Sequence, residues 1–333
     1  MHWVAVSLVF LALSLTPGRA GAEPRRARPV HTYSIVARDS TTGELGVAVQ
    51  SHWFSVGPIV PWAEAGVGAV ATQSLIDVSY GPLALEMLRA GRSADEALTG
   101  LVAADAGADL RQVAIVDAAG GVAAHTGERC IVAAGHQTGA GFSAQANLME
   151  TDTVWPAMAA AYENADGDLA ERLMQALEAA QAEGGDIRGR QSAAILIVAG
   201  ESTGKPWVDR RVDLRVEDHP QPLAELRRLL RLHRAYEHMN HGDDLLGAGQ
   251  TEEALAAYGT AARMVPDIIE LPYWQAVTLA DLGRVEEALP IFRMVFEREP
   301  AWAVLTPRLV RSGFLPDDPD LMQKILSVAP GGR

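Results

Sequence analysis

The sequence predicts an α+β domain of two antiparallel sheets with helix pairs outside them, followed by an all-α region of helical repeats. Three observations predict it. The β-rich and helical segments follow one another as strands, two helices, strands, two helices, strands, which two sheets flanked by helix pairs satisfy and a regular β-α-β-α alternation does not. From Pro222 onward the pattern is helical, and a block of residues recurs at an offset of 34. The chain has 333 residues, enough at ~150 per domain for about two domains with real cores.

Taken in order, residues 4–15 (VAVSLVFLALSL) form an apolar run too short to span a membrane, broken by Thr16-Pro17-Gly18 and followed by Ala20-Gly21-Ala22. That is a secretory signal over residues 1–22 with an A-x-A cleavage site, although Met1-His2-Trp3 brings no basic residue. A basic connector, 23–30, follows. Residues 31–37 and 45–51 alternate as a β-hairpin around the turn Ser40-Thr41-Thr42-Gly43-Glu44, and 66–74 reads as a small-residue strand. Helices are expected at 80–90 and 93–104, the second opened by the capping box Ser93/Glu96. Strands are expected at 112–117, 122–125, 130–134 and 141–147, helices at 151–163 and 169–182, and strands at 192–199 and 212–216. The first domain thus runs over 31–217 and the helical domain over 222–330. In the latter, Gly249, Ala254, Tyr258 and Pro266 recur as Gly283, Ala288, Phe292 and Pro300. Glycine ends a helix, small alanine lets paired helices approach, the aromatic fills the groove, and proline stops the second helix. The 34-residue period makes this region resemble tetratricopeptide repeats, with helices over 223–236 and 318–327 as caps.

Apolar residues make up 48% and charged residues 21%, an ordinary globular balance. The net charge of −14 counts against a nucleic-acid binder, which needs a basic face. Only Lys205 and Lys324 are lysines, and Cys130 is the only cysteine. A lone cysteine makes no intramolecular disulfide, and between Arg129 and an apolar run it reads as a structural thiol. Past the signal, no segment approaches ~18 uninterrupted apolar residues, so no membrane span remains after cleavage. Export to the periplasm or outside the cell follows.

Several literal motifs do not carry chemistry. Gly200-Glu-Ser202-Thr-Gly204 matches a nucleophile elbow, but such a serine must open a helix, and the residues after it read as a return strand. A phosphate loop fails because Ala199 and Pro206 stand where glycine and a hydroxyl residue belong. His233, Glu237 and His241 share one helix face at metal-ligand spacing, yet read as a solvated polar face. No cofactor and no metal is expected.

Polar residues end otherwise apolar strands: Gln50 and Ser51, Thr72 and Gln73, then Ser143, Gln145 and Asn147. Singly each is structural; converging, they suit an amide-binding cleft with oxyanion donors. The stretch Gly184-Gly-Asp186-Ile-Arg188-Gly-Arg190-Gln191-Ser192 allows close backbone approach and an Asp186–Arg188 pair that orients a polar substrate, or forms a salt-bridged turn.

The stretches TYSIVARDSTTGELGVAVQS (32–51), GVGAVATQS (66–74), SYGPLALEMLRAG (79–91), QVAIVDAAGGVAAHTGERC (112–130), GFSAQANLM (141–149) and GGDIRGRQSAAILIV (184–198) resemble the family catalogued as domain of unknown function 1028. That family is assigned to the N-terminal-nucleophile (Ntn) hydrolase superfamily. The resemblance implies a four-layer αββα sandwich and puts Thr32 at the nucleophile position. In that superfamily a strand-opening Thr, Ser or Cys becomes the chain terminus, and its α-amine, of intrinsic pKa ~7.7–8.0, serves as base. Two departures accompany it. Nine residues (EPRRARPVH) lie between the signal cleavage site and Thr32, so a second cut is required. The lysine that proteasome-like relatives place beside the threonine is missing.

The expectation is an exported hydrolase of an amide bond in a small or peptide-like substrate. Thr32 is its nucleophile, Ser51, Thr72 or Asn147 provides oxyanion contacts, and Asp186 and Arg188 assist. The alternative is an inactive Ntn-like scaffold whose helical repeats hold a protein partner. Homo-oligomer formation is left open.

Overall fold

The computed structural model describes residues 32–331; the signal segment, both cleavage points and the connector lie outside the described residues. The first six-stranded antiparallel sheet contains β1 (Thr32–Arg38), β2 (Leu45–Ser51), β7 (Gly135–Gly139), β8 (Phe142–Ala146), β9 (Ser192–Val198) and β10 (Arg210–Val216), in the order β10-β9-β2-β1-β8-β7. The second, antiparallel and four-stranded, runs β3-β4-β5-β6, with β3 (Pro61–Glu64), β4 (Gly68–Ser74), β5 (Arg111–Asp117) and β6 (Val122–Thr126). Mixed α and β structure with two antiparallel sheets agrees with the sequence expectation.

Period-two alternation decides what each strand face meets. Tyr33, Ile35 and Ala37 of β1 pack with Ala48 and with α3 (Val154–Asn164) and α4 (Leu169–Ala182) in one core. Val36, Val47 and Val49 point the other way, onto Ala69, Ala71, Ala114 and Val116 of the second sheet. The far face of that sheet, with Val70, Val113 and Ile115, is covered by α1 (Tyr80–Arg89) and α2 (Ala94–Ala104). The Ser93 hydroxyl accepts from Glu96 N while Ser93 N donates to the Glu96 carboxylate, so the expected capping box is present. Gly46 lets α4 sit close on β2: a Cβ there would lie 2.9 Å from Leu173 Cδ1.

Two expectations are corrected. Residues 130–134 form no strand. The turn at 127–130 and a left-handed Ala133 (φ 55°) interrupt extension, and the edge strand is instead the polar β7, whose Gly135 pairs with Ala146. The short strand β3, preceding β4 across the turn at 65–67, was not anticipated, because Trp62 and Glu64 carry no clear alternation.

A one-turn helix α5 (Pro206–Asp209) precedes β10. The helix expected at 223–236 is α6 (Pro222–Gly247), 26 residues and about 39 Å long. Its Leu223, Leu226 and Leu230 belong to the core of the first sheet, whereas Ala235 and Met239 belong to the helical core beyond. The two cores therefore share one helix. Arg227 pairs with Glu171 and Glu178 of α4, and Arg234 pairs with Asp168 and Glu171.

The C-terminal region continues through α7 (Thr251–Met264), α8 (Glu270–Asp281), α9 (Val285–Arg298), α10 (Ala301–Leu305), a 3₁₀ turn over Thr306–Ser312, and α11 (Pro319–Ser327). Residues 34 apart occupy matching environments. Gly249 and Gly283 both take left-handed φ (77° and 76°), Ala254 and Ala288 are buried, and so are Tyr258 and Phe292. Among the described residues no helix is long and apolar enough to cross a membrane.

Candidate active site at the polar end of the sheet interface

The apolar interface between the sheets changes character at one end. Thr32 and Ser34 continue the face of β1 that carries Val36; Ser51 continues that of Val49, Gln73 that of Ala71, and Gln112 that of Ala114. Ser143, Gln145 and Asn147 alternate with Phe142, Ala144 and Ala146, which face the α3–α4 core. All of these hydroxyl and amide side chains are fully buried, a costly placement unless they bond to one another.

They do. Ser34 Oγ donates to Gln73 Oε1 (2.7 Å) and accepts from Gln145 Nε2 (2.7 Å), while Ser143 Oγ donates to Gln145 Oε1 (2.9 Å). Gln73 Nε2 donates to Gln112 Oε1 (2.7 Å), as does Asn147 Nδ2 (2.9 Å). Gln112 Nε2 in turn reaches Thr126 Oγ1, Gly135 O and Ala146 O at 2.9, 3.1 and 2.9 Å.

Thr32 sits at the focus of this layer. Its carbonyl oxygen accepts from Asn147 N (3.1 Å), Gln73 Nε2 (3.2 Å) and Asn147 Nδ2 (3.4 Å). Its hydroxyl donates to Ser51 Oγ at 3.2 Å, across the register Thr32–Ser51 of β1 and β2. Three of the sequence-derived site residues, Thr32, Ser51 and Asn147, therefore meet.

Asp186 and Arg188 lie next door. The Asp186 carboxylate accepts from Arg188 N, Nε and Nη2 (3.0, 3.0 and 2.6 Å) and from His52 N (3.1 Å). Gln191 N donates to Ser51 O and Ile187 N to Leu148 O. The loop over 184–191 thus holds the chain just beyond Ser51 and just beyond Asn147, on both sides of Thr32. Asp186 is buried and the Arg188 side chain is 27% exposed. Ser192 pins the neighbouring segment, accepting from Val56 N and donating to Trp53 O.

The structure does not bring Thr72 into this set. It alternates with Gln73, shares the face of Val70 toward α1, and its hydroxyl donates to Asp77 O at 3.1 Å. Gln50 likewise takes the opposite face, with Ala48, and its buried amide has no hydrogen-bond partner among the described residues. Sequence reasoning passed over Ser34 and Gln112. Both were signalled by polar residues at period two within apolar strands, Ser34 in phase with Thr32 and Gln112 in phase with Ala114.

The layer contains hydroxyls and carboxamides and, among the described residues, no ionisable side chain. Nearby, burial pushes the Tyr33 phenol well above its ordinary range, opposed by the charge of Arg190. His136, whose Nδ1 lies 2.8 Å from Thr126 Oγ1, is held below the usual histidine value by burial and then by His125. Burial also raises the Cys130 thiol, whose Sγ donates to Arg111 O; this is an unreactive environment. Ser202 of the elbow-like motif donates to Asp209 and opens no long helix. Among the described residues, no group of three or more His, Cys, Asp or Glu is placed to hold a metal ion.

A family model described as "Family of unknown function (DUF1028)" matches residues 32–226, beginning at Thr32. A crystal structure of a protein from Silicibacter pomeroyi, described with the same family, is similar at 30% identity. The match covers 60% of this chain and 88% of that one, with a TM-score of 0.54. None of the curated proteins compared matches.

Proposed function

The chain belongs to the DUF1028 family of unknown function, and from that premise we propose that it is an exported Ntn-type amide hydrolase with Thr32 as nucleophile. On this reading the two sheets and their helix pairs are the four layers of an αββα sandwich, residues 1–22 are an export signal, and the C-terminal helices are tetratricopeptide-like. The observation that carries the proposal is the setting of Thr32. It opens an inner strand, its hydroxyl is bonded to Ser51, and three donors fix its carbonyl.

A cut between His31 and Thr32 converts the Thr32 amide into a free amine. That amine takes the hydroxyl proton as Oγ1 attacks the substrate's amide carbon. Collapse of the tetrahedral adduct expels the substrate's amine, which carries the proton away, and leaves an ester on Oγ1. Water hydrolyses the ester and restores the hydroxyl. Ser51 and, on giving up its 3.4 Å bond to the Thr32 carbonyl, the Asn147 carboxamide are the neutral donors this reading assigns to the oxyanion. Asp186 and Arg188 act by holding the loop that frames Thr32. Thr72 has no role here, since its hydroxyl serves Asp77 on the far face of β4.

The second reading, an inactive scaffold that binds a partner through its helices, is favoured by the absence of a lysine at the site. The test is N-terminal sequencing of the exported protein, paired with labelling by a β-lactone electrophile. The proposal expects a chain beginning at Thr32 that gains the probe's mass on that residue, and a Thr32→Ala variant that does neither. A chain uniformly beginning at Glu23, and unlabelled, refutes it.

A further inference from the structure

The helical region carries a groove of about 440 Å³ far along the chain from Thr32, lined mainly from α6 and α8. Three carboxylates edge it, Asp243, Glu270 and Asp281, and among the described residues its lining contains no lysine, arginine or histidine. Among the described residues none of the three forms an ion pair with a basic side chain. Two of them have neutral partners: Tyr258 OH donates to Asp243 (2.7 Å), and Tyr236 OH (2.9 Å) and Trp274 Nε1 (3.4 Å) donate to Glu270. The charge lining the groove is therefore of one sign.

The groove also holds exposed aromatic surface. Phe314 is 54% exposed, and its ring centroid lies 5.6 Å from that of Trp274 at an interplanar angle of 57°. Tyr236 adds a third ring at the rim. Aromatic faces beside uncompensated carboxylates attract cations by two additive effects, ring quadrupole and ion pairing. The carboxylates are spread out. Glu270 and Asp281 stand at opposite ends of α8, about 16 Å apart along its axis, a span of about five extended residues.

We infer that this groove binds an extended basic segment of a partner protein, with arginine or lysine side chains about five residues apart set against Asp243, Glu270 and Asp281 and packed on Trp274 and Phe314. A single small cation would leave most of the groove's length unused, and an acidic segment would meet three like charges. The inference is independent of any chemistry at Thr32.

The experiment is fluorescence anisotropy with the full chain and a labelled peptide of alanines carrying two arginines five residues apart, alongside the same peptide with glutamates. Only the arginine peptide binds, and binding weakens as salt rises. Phe314→Ala, at an exposed position, weakens it about fivefold, and the Asp243→Asn/Asp281→Asn pair about tenfold, with circular dichroism unchanged. The proposal is overturned by equal binding of the glutamate peptide, by no binding of the arginine peptide, or by unaltered affinity in both variants. It is equally overturned if ethylguanidinium alone binds as tightly as the peptide. Sedimentation showing a dimer that the double variant dissociates would assign the groove to a second copy of this chain and overturn it as well.

Discussion

Replacing Gln112 with leucine asks whether the polar layer is held by its hydrogen bonds. The change nearly conserves volume, so cavity effects are small. It deletes three bonds given by Nε2 and two received by Oε1. The Gln73 and Asn147 nitrogens keep the Thr32 carbonyl, and Thr126 keeps His136. What is left short is the buried Gln73 N–H that pointed at Gln112 Oε1, at about 1–3 kcal/mol, and the carbonyls at Gly135 and Ala146, which cost less because each has a second lone pair. Leucine's greater apolarity returns about 1 kcal/mol. The expected loss is about 2 kcal/mol in urea unfolding followed by circular dichroism. Gln73→Leu costs a similar amount, chiefly by orphaning the Ser34 hydroxyl. The double variant removes both ends of one 2.7 Å bond and so falls short of the sum by about 1 kcal/mol. Strict additivity, or a Gln112→Leu loss below about 0.5 kcal/mol, would refute a layer held by mutual satisfaction.

Three further outcomes are expected. Gly46→Ala overpacks α4 against β2, since the new methyl meets Leu173 and then Ile197 and Leu169; it costs about 1–3 kcal/mol, and Leu173→Val in the same chain recovers part of that in denaturant midpoint. Arg227→Ala removes the ties to Glu171 and Glu178 across the α4–α6 contact; half-exposed as they are, the loss is about 1 kcal/mol and shrinks with added salt, whereas a salt-independent loss would point to packing by the arginine stem. For His136, whose folded value is depressed by burial and by His125, protonation is harder in the folded than in the unfolded chain. The resulting stability is complete above the unfolded value near pH 6.5 and is lost as pH falls below it. Between about pH 7 and pH 5 the native chain therefore loses more stability than His136→Gln; equal losses count against this.

The strand and helix positions were legible where one period dominated: the Thr32 hairpin, the helix Leu169–Ala182, the capped helix after Ser93 and the 34-residue recurrence all lie where the pattern put them. Residues 130–134 misled because apolar composition says nothing of backbone handedness, and Ala133 is left-handed. No pattern marked that α6 carries leucines for one core and then Ala235 and Met239 for the other on a single uninterrupted helix, since which core a helix face meets is a tertiary fact. At the site, strand-end polarity indicated Ser51 and Asn147. Thr72 and Gln73 are indistinguishable by composition and differ only in phase, which depends on which face of β4 meets the first sheet. That is a tertiary fact, and so is the reach of Gln112 from one sheet to the other.

The scarcity of lysine and the neutrality of the polar layer bear on one another. On the hydrolase reading a threonine hydroxyl needs a base, and the layer around Thr32 offers amides and hydroxyls alone. An arginine is no proton acceptor, and Arg188 is already held by Asp186. Lys205 precedes α5 and Lys324 lies on α11. On that reading, among the described residues, the base is one made by cutting the chain at Thr32 itself. A free α-amine titrates near ~7.7–8.0 in water, and burial among neutral groups lowers that value. The neutral hydroxyls and amides bonded to Thr32 then favour the neutral, proton-accepting amine, the form the reaction requires. Without the cut, the same residues amount to a well-satisfied structural layer, with Thr32 fixed in place by its bond to Ser51. Catalyst and scaffold thus differ, for this sequence, by one peptide bond.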